Sequence, residues 1–516
     1  MRPTLQTRAG VLCGIEEDGV LAFRGIPYAA AADGAGRFRA PRPPAPWPGT
    51  RDGSRPGPAA IQTVHLPAWL RRFSSVPVAG TSEDCLSLNV WTPGVDGLRR
   101  PVMVWIHGGG FTRGSGSWYL YSGARMARRG DVVVVGINYR LGVFGALATG
   151  EMRDGDSSDS NVGLRDQIAA LQWVAENISD FGGDPEKVTV FGQSAGAMSM
   201  ASLVSSSLVR PLIRRAILQS GAARNVLMPG EAESIARRIC RLLEVDLEGP
   251  DPVGRLRARP AKELLAAQLR VSAEHRLPLG MMAWQPAVDG DLLRGPPLEG
   301  WASEGSRPPQ LLIGANLDEW KMFTATDAKR RNLNDSTLRD YLGRTLSAKT
   351  GASSAVDSAL ETYGWAPSGE PRSPGQIWAA LQGDRVFHFP AVELADRNAE
   401  CGAETWFYRF DWKPPRAPNR LGACHSMELP FVFGSVREFL PRRFLGAGRQ
   451  ALKLSDRLQD AWLAFAKSGD PRTEEDPLWP RYTAQSEEAR VFGGAEGIVP
   501  ALTADRRDFW RDQENP

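Results

Sequence analysis

The chain has 516 residues, 42% hydrophobic and 23% charged, with a formal net charge of +3. These proportions are those of an ordinary globular protein, and with so small a charge at this length nothing marks a nucleic-acid or anionic-membrane partner. No segment approaches the roughly 18 consecutive apolar residues that a membrane span requires.

In chain order, residues 11–15 and 20–23 flank Glu16-Glu17-Asp18-Gly19 and predict a β-hairpin. Residues 29–60 are rich in Ala, Pro, Gly and Arg, and composition alone reads them as a linker. Apolar runs at 86–91, 102–106 and 132–137 suit strands buried on both faces of a largely parallel sheet. Leu164, Ile168, Leu171 and Ile178 recur at helical spacing, with Asn161 as the expected cap and 181–185 as the stop. A strand at 187–191, a helix over 195–206 and strands at 216–219 and 311–315 follow. Leu454, Leu458, Trp462 and Phe465 then mark an amphipathic helix stopped by Gly469 and Pro471. Strand and helix alternate, with no internal repeat, which predicts an α/β architecture.

Gly192-Gln193-Ser194-Ala195-Gly196 fits the GxSxG turn that lifts a nucleophilic serine above a sheet edge. Its position between a strand and a helix carries the reading, because the pentapeptide itself is short. Flanking glycines suit a turn too tight for Cβ atoms, and the helix that follows aims free N–H groups at the reacting centre. His107-Gly108-Gly109-Gly110-Phe111 directly follows the strand at 102–106. With no Gly-Lys-Ser/Thr or GxGxxG element after it, a phosphate loop is a poor reading. The N–H groups of Gly109, Gly110 and Ala195 are instead candidates for an oxyanion hole.

A serine hydroxyl needs a base beside it. Of the five histidines, His107 is spent in the glycine loop and His65 comes too early in the chain. His275 lies in a charged helical stretch and His388 in Phe387-His388-Phe389-Pro390. His425, in the small-residue loop Gly422-Ala423-Cys424-His425-Ser426, obeys the order serine, acid, histidine. The strand at 311–315 runs into Asp318-Glu319, where a carboxylate can fix the tautomer of the base. Chemistry alone leaves Asp318, Glu319 and Glu428 open.

These residues together resemble the type-B carboxylesterase family, which includes bacterial para-nitrobenzyl esterases and the cholinesterases. The resemblance begins at Phe23-Arg24-Gly25-Ile26-Pro27-Tyr28-Ala29 and Arg37-Phe38-Arg39-Ala40-Pro41. It continues through Glu83-Asp84-Cys85-Leu86-Ser87-Leu88-Asn89-Val90, the glycine loop, Asn138-Tyr139-Arg140-Leu141-Gly142 and the serine turn. Gln219-Ser220-Gly221-Ala222, Gly314-Ala315-Asn316-Leu317-Asp318-Glu319 and residues 422–430 complete it. It implies an α/β-hydrolase fold over residues 1–516: one domain, with a large, mostly parallel twisted sheet and helical insertions around an active-site gorge. It also implies Glu319 as the acid, His425 as the base, Ser220 as a serine close behind them, and an ordered course for residues 29–60.

Two departures stand out. Secreted relatives often tie the cysteine of the Glu83-Asp84-Cys85 motif to another about two dozen residues upstream, but residues 57–62 offer none. Cys13, Cys85, Cys240, Cys401 and Cys424 lack metal-type spacing, and residues 1–8 lack the apolar stretch of an export signal. Reduced thiols and a cytoplasmic location are therefore expected. Relatives also often carry glutamate before the nucleophile, where this chain has neutral Gln193, which removes one argument for a cationic substrate.

The expected activity is hydrolysis of short to medium acyl or aryl esters through an acyl-enzyme on Ser194. Its partner is a small-molecule ester, and it needs neither metal nor organic cofactor. Since the base must be neutral, activity should rise with pH near the ordinary histidine value of about 6.5. Phe111, Trp118, Tyr119, Phe323 and Phe431 are candidates to line an apolar pocket. An acyltransferase, or a carbamate or amide hydrolase, would share the same acyl-enzyme. A non-catalytic binding protein on this fold would usually lack a triad member, and all three are present.

Overall fold

The computed structural model describes residues 2–63, 79–150, 159–275, 282–301, 308–325, 327–346, 352–366, 369–415, 418–438, 442–443, 445–446 and 448–514. His65 lies outside these residues. Two sheets form. The small one joins β1 (Thr4–Thr7), β2 (Gly10–Cys13) and a later strand, β5 (Thr50–Asp52). The large one takes β3 (Ile15–Glu17), β4 (Val20–Pro27), β6 (Ser87–Thr92), β7 (Arg100–Ile106), β8 (Val133–Ile137), β9 (Gly183–Gln193), β10 (Arg215–Gln219), β11 (Gln310–Asn316), β12 (Thr405–Phe410), β13 (Glu488–Phe492) and β14 (Ile498–Pro500). Its order is β14-β13-β12-β11-β10-β9-β7-β8-β6-β4-β3. From β13 to β8 every neighbour is parallel, and antiparallel pairs occur only towards the two edges.

The continuous apolar runs are explained by burial on both faces. Val102, Val104 and Ile106 join one core with Val188, Val190, Leu218 and Ile313. The intervening Met103 and Trp105 join the other with Phe191, Ile217 and Leu312. The helices Val162–Asn177 and Ala195–Ser205 cover the first face, and Arg449–Ser468 covers the second through Leu454, Leu458, Trp462 and Phe465. Gly469 ends that last helix in the left-handed region, φ 84°.

Three local expectations are corrected. The predicted first hairpin arm splits at Gly14: Gly10–Cys13 pairs in the small sheet, and only Ile15–Glu17 pairs with β4. A Cβ at Gly14 would sit 2.6 Å from the Ala22 carbonyl oxygen, and the turn itself is Asp18-Gly19, both with positive φ. Asn161 precedes its helix but does not cap it, because its side chain bonds Ala287 and Asp289 instead. The segment expected to stop the helix splits at Gly182 (φ 76°), with Gly183, Asp184 and Pro185 already in β9. Residues 29–60 follow an ordered path, as the resemblance implies. Arg37 pins them through a bidentate pair with Glu83 and bonds to the Arg257 and Arg259 carbonyls.

Chain order and spatial order diverge between β7 and β9. From β7 the chain steps out to β8, crosses back to β9, then proceeds the other way through β10, β11 and β12. Such a reversal opens a crevice at the carboxyl ends of the strands, where α/β sheets carry their ligand sites.

Candidate active site

The glycine loop leaves β7 and the serine turn leaves β9, on either side of that crevice. Ser194 has φ 55° and ψ −127°, a conformation that costs an L-residue about 1–3 kcal/mol. Close approach to β7 imposes the glycines beside it. A Cβ at Gly196 would lie 2.1 Å from the Ile106 carbonyl oxygen, and one at Gly192 would lie 2.9 Å from the same atom. The loop passes so near the serine turn that a Cβ at Gly108 would meet Ser194 Cβ at 3.0 Å.

Neighbouring motifs hold the loop in place. Tyr139 donates its hydroxyl to the His107 carbonyl at 2.7 Å and stacks on the His107 ring. The Gly142 N–H donates to the Phe111 carbonyl at 2.6 Å. Burial pulls His107 down to about 4, so its ring is neutral and structural. Gly109 and Gly110 adopt φ of 124° and 61°. Among the described residues, the N–H groups of Gly109, Gly110 and Ala195 donate to no other group. This is the arrangement an oxyanion requires.

The loop carrying His425 lies between β12 and β13. The His425 Nδ1–H donates to Glu319 Oε2 at 2.6 Å, and the His425 backbone N–H donates to the Glu319 carbonyl at 3.2 Å. The Asn316 N–H fixes the other carboxylate oxygen, Oε1, at 2.7 Å. On the far side of the imidazole, Nε2 accepts from the Gln193 side-chain amide at 3.2 Å. The ring thus bridges Glu319 and the residue preceding Ser194, with its proton on Nδ1 and a lone pair towards the serine turn.

The three carboxylates left open by chemistry have distinct positions. Asp318 accepts from the Ala423 N–H at 3.0 Å and pairs with Lys321, so it anchors the histidine loop without touching the imidazole. Glu428 accepts from Gln219 and from the Asn316 side chain, whose amide also donates to the Cys424 carbonyl. Only Glu319 meets the ring. Asn316, quoted in a motif but given no role from sequence, joins Glu319, Glu428 and the histidine loop.

Burial and the nearby Glu319 charge push Glu428 up to about 7, against the pull of its bond from Asn316. A carboxyl group whose folded value lies above the unfolded one binds the extra proton in the folded state, so its contribution to stability falls as pH rises from about 4.5 to 7. Glu428→Gln is therefore expected to flatten the fall in stability between pH 5 and pH 8, measured by urea unfolding at each pH. Equal slopes for variant and parent would contradict the assignment.

The aromatic candidates divide. Phe323 lies 5.5 Å from the His425 ring, and Phe111 belongs to the apolar cluster around Ala195 and Ala315. Phe431 is a correction: it is fully buried and packs on Phe410 and Trp412, filling core beneath the site. Trp118 packs on Tyr121 in the cluster of the opposite face, and Tyr119 is exposed. Phe387, at 4.7 Å from the His425 ring, was missed, as was Trp320, which packs on both Phe323 and Phe387. Trp320 directly follows Glu319, which was the available signal for it, whereas Phe387 lies far from any site motif in the chain. Ser220 sits just past β10 with φ 52°, its hydroxyl buried and without a partner among the described residues. All five cysteines are unpaired. No helix among the described residues is long and apolar enough to cross a membrane.

The sheet, the strained serine turn and the strand-end loops define an α/β-hydrolase. The family model described as "Carboxylesterase family" matches residues 1–510, and the chain belongs to that family. It is 37% identical over 491 residues to a para-nitrobenzyl esterase of Bacillus subtilis (strain 168), covering 94% of each chain. It is 36% identical over 506 residues to a phenmedipham hydrolase of Pseudarthrobacter oxydans, covering 96% of each. A solved carboxylesterase of Geobacillus stearothermophilus superposes with a TM-score of 0.86 at 36% identity, covering 99% of this chain and all of that one. The protein is a carboxylic ester hydrolase of small-molecule esters.

Proposed function

We propose that hydrolysis proceeds through an acyl-enzyme on Ser194, with His425 as base and Glu319 orienting it. The observation that carries the reading is the imidazole held between Glu319 at Nδ1 and, at Nε2, the side-chain amide of Gln193, the residue before Ser194. Neutral His425 takes the Ser194 proton as Oγ attacks the ester carbonyl carbon. The N–H groups of Gly109, Gly110 and Ala195 hold the resulting oxyanion, and protonated His425 returns the proton to the departing alcohol. Water, activated by the same imidazole, then releases the acid.

Phe323, Phe387 and Trp320 supply an aromatic wall beside the base, and the preceding position is neutral Gln193. These features favour uncharged short to medium acyl or aryl esters. Five unpaired cysteines support a reducing, cytoplasmic setting. The test is labelling with a fluorophosphonate and mapping of the modified residue by mass spectrometry, followed by an ester panel of graded acyl length. The label is expected on Ser194. Stoichiometric labelling at another residue would overturn the assignment, and a preference for cationic or long-chain esters would overturn the substrate class.

A further inference from the structure

His388 plays no part in the chemistry above, yet it is buried behind the acid. Pro390 has no N–H to give to a helical ladder, and a π turn, Asp384–His388, separates the helices Pro374–Gly383 and Phe389–Glu400. That turn brings His388 Nδ1 to 2.9 Å from Asp384 Oδ1, in a bent ion-pair contact, while Nε2 lies 2.8 Å from the Asn316 carbonyl oxygen. A backbone carbonyl can only accept, so Nε2 carries a proton. A bare Nδ1 lone pair against a carboxylate would be repulsive, so Nδ1 carries one too.

Asp384 is kept ionised by its other partners. Tyr363 donates to Oδ2 at 2.8 Å, and Arg506 of the helix Ala504–Glu514 lies 3.4 Å from the same oxygen. Burial raises Asp384, but Arg506, His388 and Tyr363 outweigh it and hold the carboxyl below its ordinary value. Burial likewise opposes charge on His388. Asp384, Glu319 and the Asn316 carbonyl outweigh it and hold the ring above the ordinary histidine value.

We propose that His388 is a buried imidazolium that positions Glu319, gripping Asn316 by its carbonyl while the N–H of the same residue holds the Glu319 carboxylate. Gly383 sits between the two groups: a Cβ there would lie 3.9 Å from both His388 Nδ1 and Glu319 Cβ. Among the described residues, neither Glu319 nor Glu428 has a lysine or arginine within ion-pair distance. His388 supplies the buried positive charge on that side. The charged and titratable groups around it are Asp384 and Arg385 on its own turn (the latter donates to Gln382), Glu319 beyond Asn316, and Arg506, Arg372 and Tyr363 behind Asp384. Replacing His388 by a neutral side chain would remove one positive charge from the neighbourhood of the base.

The inference rests on His425 acting as base, and its test has one arm that does not. With five histidines in the chain, ¹⁵N-histidine NMR of the wild-type protein is expected to show one imidazole doubly protonated at pH 8, assigned to His388 by its loss in His388→Gln. A wild-type spectrum with no doubly protonated ring overturns the proposal, whatever becomes of the variant and whether or not Ser194 takes the label. In the second arm, the acid limb of the kcat/KM profile of His388→Gln is expected to move up by about half to one pH unit. At pH 6 this appears as a roughly three- to tenfold loss, shrinking towards pH 8. A folded variant whose profile falls uniformly, or does not change, marks His388 as merely structural.

Discussion

Ser194→Ala is expected to lower kcat by a factor on the order of 10⁴ to 10⁶ while leaving the fold intact. The backbone at 194 sits at φ 55° because the turn is wedged between Ile106 on β7 and Gln219 on β10, to whose carbonyl the Ser194 N–H donates at 2.9 Å. Alanine keeps a Cβ and the same backbone demands, so the substitution removes the oxygen proposed as nucleophile and little else. The proposed oxyanion donors and the aromatic wall remain, and they are expected to preserve a residual rate over water of about 10³ to 10⁴. Purified variant and parent, compared on an aryl ester with unfolding curves run in parallel, give the result. A folded variant with a tenth of the parent kcat would remove Ser194 from the reaction.

That turn was legible in the sequence because its geometry admits few residues. Gly192 and Gly196 face backbone atoms of β7 at distances no Cβ tolerates, and this requirement is what the GxSxG pattern records. Strand positions were legible because burial on both faces demands unbroken apolar runs, as at 102–106 and 133–137. Capping at Asn161 failed for a nonlocal reason, since residues 287 and 289 claim its side chain from more than a hundred positions away. The choice among Asp318, Glu319 and Glu428 could not be made by chemistry either. All three carboxylates bond into the same two loops, and only the folded register shows which meets Nδ1. The aromatic wall was half visible: Phe323 lies four residues from the acid, whereas Phe387 arrives on a helix more than sixty residues later.

The register that selects Glu319 also predicts the consequence of Glu319→Gln, a loss in kcat of about 10³ to 10⁴ without unfolding. Both carboxylate oxygens accept: Oε1 from the Asn316 N–H and Oε2 from the His425 Nδ1–H. A glutamine must turn its NH₂ group towards one of them. Facing Asn316, it sets donor against donor at a buried site, a cost of about 1–3 kcal/mol. Facing His425, it drives the proton from Nδ1 to Nε2, where the ring would point an N–H at the nucleophile it should deprotonate. The second arrangement keeps both hydrogen bonds at residue 319 and asks only that the Gln193 amide turn its oxygen towards the ring, so the variant folds but holds the wrong tautomer. Activity should climb at high pH, where Ser194 depends less on its base, and the fluorophosphonate should still label Ser194, more slowly. A Glu319→Gln variant within tenfold of the parent at pH 7 would show that Glu319 does not orient the base, and the carboxylate doing so would have to be sought elsewhere.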